Sequence, residues 1–248
     1  DPGLFGIAPG AALGAVAALW FGYTVSPYLL PAFALVGAGG AMALLALIAG
    51  RTGGIALFTL AGLMVASLAG ALTALAISLA PNAFAMSEIV LWLNGALTDR
   101  GWREVWIAAP LVALGIAVLW RAGPALDALT LGHAVARSLG VDPNRLLWLL
   151  IVGVALTVGA SVAVAGIIGF VGLIVPHLVR PLTDRRPSSL LLPSALAGAL
   201  LVLVADSVVR ILPLVTELRL GIALSLLGAP FFLALLLRMR RGLPGAMG

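Results

Sequence analysis

Long apolar blocks separated by short polar connectors dominate the chain. A transmembrane helix needs roughly 20 mostly apolar residues, and seven blocks approach or exceed that length: residues 9–25, 29–49, 55–80, 105–120, 146–166, 190–212 and 220–237. A shorter block, 167–182, contains Gly169 and Gly172 near its start and predicts a short or half-buried helix that returns across the membrane. The pattern therefore predicts an all-α bundle of about eight transmembrane segments in a single domain, residues 1–248.

Composition gives the same result. Hydrophobic residues make up 62% of the chain and charged residues 9%, with a mean hydropathy of +1.21. Soluble domains carry about 25% charged residues, because they must cover a core with a solvated surface. This chain has too few charges for such a surface, whereas lipid tolerates an apolar exterior. The sequence therefore predicts a polytopic integral membrane protein.

The basic residues indicate topology and give no sign of a nucleic-acid partner. All fourteen are arginines dispersed between apolar blocks, whereas a phosphate-binding face needs clustered cations. If successive segments alternate in direction, ten of them fall on one side: Arg51, Arg121, Arg137, Arg145, Arg180, Arg185, Arg186, Arg238, Arg240 and Arg241. Only Arg100, Arg103, Arg210 and Arg219 fall on the other. Arginine collects at cytoplasmic helix ends, so both ends of this chain are predicted to lie inside.

The apolar spans lack the residues that most membrane chemistry requires. Cysteine is absent and the two histidines lie far apart, so no disulfide or metal site is predicted. Residues 9–49, 55–80 and 146–170 contain no ionisable side chain, although proton and ion pathways are marked by such residues. This disfavours an ion-coupled secondary transporter and an intramembrane hydrolase. If the protein is a pump, its energy comes from elsewhere.

Small residues recur at helical spacing in two segments. Gly6, Gly10 and Gly14 share one helix face, and Gly62, Ala66 and Gly70 share another. In lipid, helices associate by close backbone approach at small residues. These faces predict helix–helix contacts in a compact bundle.

Two polar features near segment ends have alternative interpretations. Asp206 and Arg210 are four apart, as in a self-neutralising pair near the interface, but Arg210 could equally offer a cation to a partner docking from outside. His177 follows Pro176 near the cytoplasmic boundary. It fits a structural kink with a hydrogen-bonded ring, or a gate or ligand contact.

The connector after the fourth segment contains an amphipathic stretch. In 131–141, apolar residues are interleaved with His133 and Arg137, and Gly140 provides a stop signal. The pattern predicts a short helix outside the bilayer on the cytoplasmic side. Either it rests on lipid headgroups, or it fits into a cytoplasmic partner protein.

Several stretches, in order along the chain, resemble one family. They are residues 1–7, 131–141, 166–178 and 191–193, Ala205-Asp206 with Arg210, and Leu227-Gly228-Ala229-Pro230-Phe231-Phe232. Together they resemble the permease subunits of type II ABC importers for iron–siderophore complexes, haem and cobalamin. Each stretch is weak alone, but the set is specific.

The resemblance implies a ten-helix permease of the bacterial inner membrane. The first two helices would precede this fragment, which agrees with its non-methionine start. The permease would work as a homodimer with the channel at the dimer axis, bordered by the third, sixth and eighth segments. Two cytoplasmic ATPases would hold ATP and Mg²⁺, with no cofactor in this chain, and a periplasmic binding protein would deliver a metal chelate, most readily a ferric siderophore.

The resemblance also assigns residues. Coupling helices within 127–143 would seat on the ATPase through Leu131, Gly132, His133, Ala134, Arg137, Ser138, Leu139 and Gly140. Arg210 and Arg219 would meet the binding protein. Gate or structural roles would fall to Gly169, Gly172, Pro176, His177, Asp206, Gly228 and Pro230.

Two positions depart from the family pattern. His133 stands where the family usually has Glu, which alters the polar contact with the ATPase. Residues 217–221 read Glu-Leu-Arg-Leu-Gly where Glu-Leu-Pro-Ile-Gly is common, which adds Arg219 at the outer lip. The alternative functions are an ion-coupled secondary transporter and a membrane-embedded scaffold or lipid-directed enzyme.

Overall fold

The structure is a computed structural model that describes residues 3, 5–20, 28–49, 55–184, 186–212 and 218–241. Some residues discussed above lie outside this part of the chain: Asp1, Pro2, Leu4, Val25, Arg51, Arg185 and Glu217. The side chains of Arg238, Arg240 and Arg241 also lie outside it.

The described residues form ten α-helices and contain no strand. They are α1 (Ile7–Trp20), α2 (Leu29–Ala49), α3 (Ile55–Ser78), α4 (Ala83–Leu93), α5 (Trp102–Leu129), α6 (His133–Ser138), α7 (Pro143–Ala165), α8 (Val171–Val179), α9 (Pro187–Ile211) and α10 (Leu220–Arg241). A 3-10 turn, Arg180–Leu182, follows α8. The predicted all-α architecture is confirmed.

Helix lengths match the thickness of a bilayer. Five helices in the described part of the chain, α2, α3, α5, α7 and α9, are long and apolar enough to span a membrane. By contrast α8 has nine residues and is about 14 Å long at 1.5 Å per residue, roughly half of the hydrocarbon core. This confirms the short helix predicted within 167–182. The chain is a multi-pass membrane protein.

One predicted connector, residues 81–104, contains a helix that the segment count missed. Helix α4 begins where Asn82 Oδ1 accepts a hydrogen bond from the Ala85 backbone N–H at 2.8 Å, an N-cap that satisfies an otherwise unpaired donor. Its Ile89 is 2% exposed. Eleven residues are too few to span a bilayer. A search for long apolar runs therefore passes over α4.

Helix α5 is longer than the predicted 105–120. It begins at Trp102, where Glu104 Oε2 accepts a hydrogen bond from the Gly101 backbone N–H at 2.8 Å. It continues through Arg121 and Pro124 to Leu129, so most of the predicted connector after Trp120 is helical. Polar residues there mark the exit from the bilayer and do not end the helix.

The core lies among α1, α2 and α7 and depends on residues with little or no side chain. A Cβ at Gly10 or Gly14 would collide with the backbone of α2 at Gly37 or Phe33, so the predicted contact face of α1 is confirmed. In α3, Gly62 is buried and Ala66 lies against Gly6. Gly70 is exposed with open space around it, so it takes no part in a helix contact within the described chain.

A single methyl group should therefore disrupt the α1–α2 contact. In Gly37→Ala the new Cβ meets the Gly10 carbonyl oxygen, and overpacking of this kind costs about 1–3 kcal/mol. Gly40→Ala, on the same helix, meets open space and is the matched control. We expect a lower melting temperature in detergent for Gly37→Ala alone. Equal melting temperatures for the two variants would contradict the tight crossing.

Tryptophans mark both membrane boundaries. Trp102 and Trp106 at the start of α5 are 78% and 74% exposed, and Trp120 and Trp148 at the opposite side are 58% and 63% exposed. Amphipathic rings of this kind concentrate at the two membrane–water interfaces. Among the described residues, no polar or charged residue is buried.

Candidate functional site

The predicted amphipathic helix at the cytoplasmic side is α6, held between two glycines in the left-handed region. Gly132 has φ +98° and Gly140 has φ +84°, conformations that other residues adopt at a cost. At the C-terminal end, the Gly140 N–H donates to the Arg137 carbonyl and the Val141 N–H to the Ala136 carbonyl, both at 3.0 Å. This pair of bonds is a Schellman motif. It stops the helix where Gly140 predicted a stop.

Nearly the whole surface of α6 is exposed. Of the residues from Leu131 to Gly140, all are exposed except Ala136, which is 1% exposed. Leu131, Val135 and Leu139 recur every four residues and form an exposed apolar stripe, with Leu131 and Leu139 each 63% exposed. We call these three residues the α6 stripe. The remaining predicted coupling residues are exposed beside it: Gly132, His133, Ala134, Arg137, Ser138 and Gly140.

On the opposite side, Asp206 and Arg210 form the predicted pair on the last turns of α9. Arg210 Nε lies 2.7 Å from Asp206 Oδ2, and their side chains are 52% and 17% exposed. A cation at a helix C-terminus is also favoured by the helix dipole. The pair holds the Arg210 guanidinium in one place while leaving half of its surface accessible.

Arg219 lies in a polar cavity that sequence reasoning missed. This half-buried residue lines a space of about 310 Å³ together with Glu88, Trp92 and Arg100. A second cavity of about 430 Å³ is also lined by Glu88, Trp92 and Arg100. Its wall further includes Arg103 and Glu104. The signal that could have found this cluster is the N-cap Asn82 before an apolar run, because α4 brings Glu88 beside the start of α5.

Three glycines make a backbone junction at the same side. The end of α4, the turn between α7 and α8, and the start of α10 meet there without intervening side chains. The Ala96 N–H donates to the Ala165 carbonyl at 2.8 Å, and the Gly221 N–H donates to the Gly95 carbonyl at 3.1 Å. A Cβ at Gly95, Gly166 or Gly221 would collide with a carbonyl oxygen of a neighbouring segment. We call these three residues the glycine junction.

The predicted gate residues are distributed around α8. Phe170, with φ +66°, precedes α8 and packs its ring onto the buried Gly228 of α10. Pro176 lies inside α8, and His177 is exposed in its last turn, where no hydrogen bond joins its ring to any described residue. Gly169 faces open space, and Pro230 is exposed within α10. The structure does not bring these residues together into one cluster.

Gly172 and Pro176 border an apolar cavity of about 400 Å³ between α5, α7, α8 and α9. The Ser194 hydroxyl, which lines it, is buried and makes no hydrogen bond to a described residue. In the part of the chain that the structure describes, no group of three or more metal-ligating side chains occurs.

These features define a class: a multi-pass helical membrane protein with a short exposed helix at one end of the bundle and a cluster of charged side chains at the other. Comparisons with known proteins identify it further. The model of the FecCD transport family matches residues 1–238. The vitamin B12 import system permease protein BtuC of Vibrio cholerae is 39% identical over 243 residues, covering 96% of this chain and 72% of that protein.

Other relatives agree. The Fe(3+) dicitrate transport system permease protein FecD of Escherichia coli is 37% identical over 241 residues, covering 97% of this chain and 74% of FecD. A solved metal-chelate type ABC transporter in an inward-facing conformation matches with TM-score 0.86 and 31% identity, covering 96% of this chain and 76% of that one. The chain belongs to the FecCD transport family. It is an ABC-transporter permease, a transport subunit whose ATPase is a separate protein.

Proposed function

We propose that this chain imports a metal chelate across the bacterial inner membrane, driven by ATP hydrolysis on a separate cytoplasmic subunit. Its relatives are named for vitamin B12 and Fe(3+) dicitrate, and both substrates are metal ions wrapped in organic ligands. A ferric siderophore is the first candidate within this class, with haem and cobalamin next. The permease holds no cofactor, since ATP and Mg²⁺ belong to the ATPase.

The observation that carries this proposal is the α6 stripe. Exposed apolar residues inside a bilayer need no explanation, but Leu131, Val135 and Leu139 follow α5 out of the membrane. An apolar patch on such a helix is typical of a protein contact. The cytoplasmic ATPase is the partner whose motion must reach the permease. If α6 instead rested on lipid headgroups, the stripe would have no role in assembly of the permease with the ATPase.

At the outer side, Arg210 and Arg219 are proposed to meet acidic residues of the periplasmic binding protein. The Asp206 carboxylate fixes the guanidinium of Arg210, which lowers the entropy lost on docking. Arg219 shares its cavity with Arg100, so a further cation lies beside one of the two predicted docking residues. Complementary charge steers encounter and sets specificity.

We further propose a homodimer whose channel is bordered by α3, α8 and α10. Helices α3 and α10 expose long apolar faces, including Leu60 and Leu68 on α3 and Leu226 and Leu233 on α10. Such faces suit either lipid or a second copy. Alternating access at this interface, with walls poor in charge, would pass a large chelate without holding it tightly.

Reconstituted transport tests the proposal. The permease, its ATPase and a loaded binding protein in proteoliposomes should take up one of three radiolabelled chelates, ferric hydroxamate siderophore, haem or cobalamin, only when ATP is enclosed with the ATPase. Uptake driven by a proton or sodium gradient without the ATPase would favour the secondary transporter. The absence of buried charge among the described residues argues against that outcome.

Arg210 should matter for docking more than other outer arginines. We expect Arg210→Ala to weaken binding of the binding protein about tenfold, because a partner carboxylate loses its charge-assisted contact. Arg103→Ala, an exposed arginine of the same side, is the control and should change affinity less than about twofold. Affinity is measured on permease in nanodiscs at two salt concentrations. Equal effects of the two substitutions would remove Arg210 from the contact.

A further inference from the structure

Asp127, in the last turn of α5, caps the start of a different helix. Its Oδ1 accepts a hydrogen bond from the Ser188 backbone N–H at 2.9 Å, and its Oδ2 accepts one from the Ser188 hydroxyl. The first N–H groups of a helix have no partner within that helix. Arg186, the N-cap residue of α9, supplies no side-chain cap. A carboxylate 61 positions earlier in the chain therefore supplies the cap that α9 lacks.

The two helices approach closely at this end. Gly123 lies one turn before Asp127, and a Cβ there would stand 3.2 Å from the Cβ of Ser188. Further into the membrane, α5 and α9 both line the apolar cavity of about 400 Å³. Helices that are joined at one end and border open space beyond it can change their mutual angle at little cost in packing. The contact between Asp127 and Ser188 then determines how α5 and α9 move relative to each other.

Asp127 is also part of the turn that leads to α6. Its backbone carbonyl accepts hydrogen bonds from the Thr130 N–H at 3.1 Å and from the Thr130 hydroxyl at 2.7 Å. The turn that leads to α6 continues with the Leu131 N–H bonded to the Ala128 carbonyl at 3.1 Å. The backbone of Asp127 thus fixes the entry to α6, while its side chain holds α9.

We propose that Asp127 is a positioning residue that transmits displacement of α6 to α9. The inference rests on the proposed function, in which α6 is the seat of the ATPase. Helix α9 has 25 residues, about 38 Å of helix, and ends on the opposite side with Asp206 and Arg210. A push on α6 moves the end of α5, and the Asp127–Ser188 contact carries that motion into a helix that reaches the docking face.

The test is the number of chelates imported per ATP hydrolysed, measured in proteoliposomes with the full complex. Asp127→Ala should lower this ratio about tenfold while the ATPase still binds the permease with unchanged affinity. Asp127→Asn keeps the shape and one acceptor oxygen and should give an intermediate ratio. A merely structural role would lower the yield of folded complex and leave the ratio of that complex unchanged.

Asp184→Ala is the matched control. Asp184 accepts hydrogen bonds from the Ser189 hydroxyl and, at 3.2 Å, from the Arg186 N–H. These bonds hold its carboxylate at the same helix terminus and lower its pKa below the usual range. It belongs to the loop directly before α9 and does not join α9 to α5. We expect the Asp184→Ala variant to import as many chelates per ATP hydrolysed as the unsubstituted protein.

A covalent link provides the second arm. The chain has no cysteine, so Asp127→Cys with Ser188→Cys creates one defined thiol pair. A disulfide or a short thiol-specific cross-linker should raise the import ratio of this variant above that of its reduced form. Equal ratios before and after cross-linking would overturn the proposal, because rejoining the helices would have no effect on coupling.

Two results distinguish a failure of the proposed function from a failure of the role of Asp127. If the unsubstituted complex shows no ATP-dependent import, the proposed function fails. If it imports normally and Asp127→Ala keeps the same ratio, the proposed function stands and the role of Asp127 is overturned.

Discussion

Replacing the three residues of the α6 stripe by serine should prevent stable assembly with the ATPase. Leu131, Val135 and Leu139 are exposed in the isolated permease, and each apolar side chain buried in an interface contributes about 1.5–3 kcal/mol. The loss of three should weaken binding by at least about 100-fold. Uptake stops for the same reason. The measurement is co-purification and titration of the ATPase against permease in nanodiscs.

The permease itself should remain folded in this variant. Within α6 only Ala136 is buried, and the helix is stopped by backbone bonds at Arg137 and Gly140 that serine leaves intact. The control is His133→Ala together with Ser138→Ala, which alters polar residues beside the stripe. It should weaken ATPase binding less than about tenfold. If the serine variant binds the ATPase normally, the α6 stripe is not the ATPase contact and the importer proposal loses its main mechanical support.

Substituting Gly166 by alanine should strongly destabilise the glycine junction. The residue has φ +72° and ψ −163°, a backbone region that is essentially restricted to glycine and costs another residue roughly 1–3 kcal/mol, and its new Cβ would collide with the Trp92 carbonyl oxygen. Backbone cannot move aside as a flexible side chain can, so overpacking adds about 1–3 kcal/mol. We expect a total loss of about 2–6 kcal/mol. Thermal unfolding in detergent measures it.

The comparison for this prediction is Gly169→Ala. Gly169 lies three residues further along the same turn, and a Cβ there meets open space. Its melting temperature should stay close to that of the unsubstituted protein, whereas Gly166→Ala should elute as aggregate or melt far earlier. Similar melting temperatures for the two variants would show that the glycine junction tolerates a side chain. The contacts among α4, α7 and α10 would then be looser than the backbone hydrogen bonds indicate.

The long spans followed from the sequence because their cause is local. Each needs only about 20 apolar residues in a row, and α2 has the predicted bounds, 29–49. The Arg210–Asp206 pair and the end of α6 at Gly140 were predictable for the same reason, since both depend on spacing within one helix. Helix α4 was missed because it is short and depends on partners distant in sequence.

The cluster around Arg219 illustrates what spacing does not show. Glu88, Arg100 and Arg219 come from three separate connectors or helices, and they meet because the glycine junction draws α4, α7 and α10 together. Nothing in the order of residues 81–104 indicates that Glu88 will lie beside Arg100. The resemblance to the family indicated which faces matter, but it pointed only to Arg210 and Arg219 at this end.

By itself, the sequence determined that this protein is a helical membrane permease with a short exposed helix between two of its long spans. The length of an apolar run, the distribution of arginines and the glycines that end helices are all properties of contiguous residues. In lipid the backbone must satisfy its own hydrogen bonds, and a helix does so within one segment. Only the tertiary structure decided that Asp127 caps α9, that three glycines let carbonyls and N–H groups of different segments meet, and that Gly70 packs against no other described residue. Those outcomes depend on how helices cross, and crossing is fixed by close packing between residues far apart in the chain.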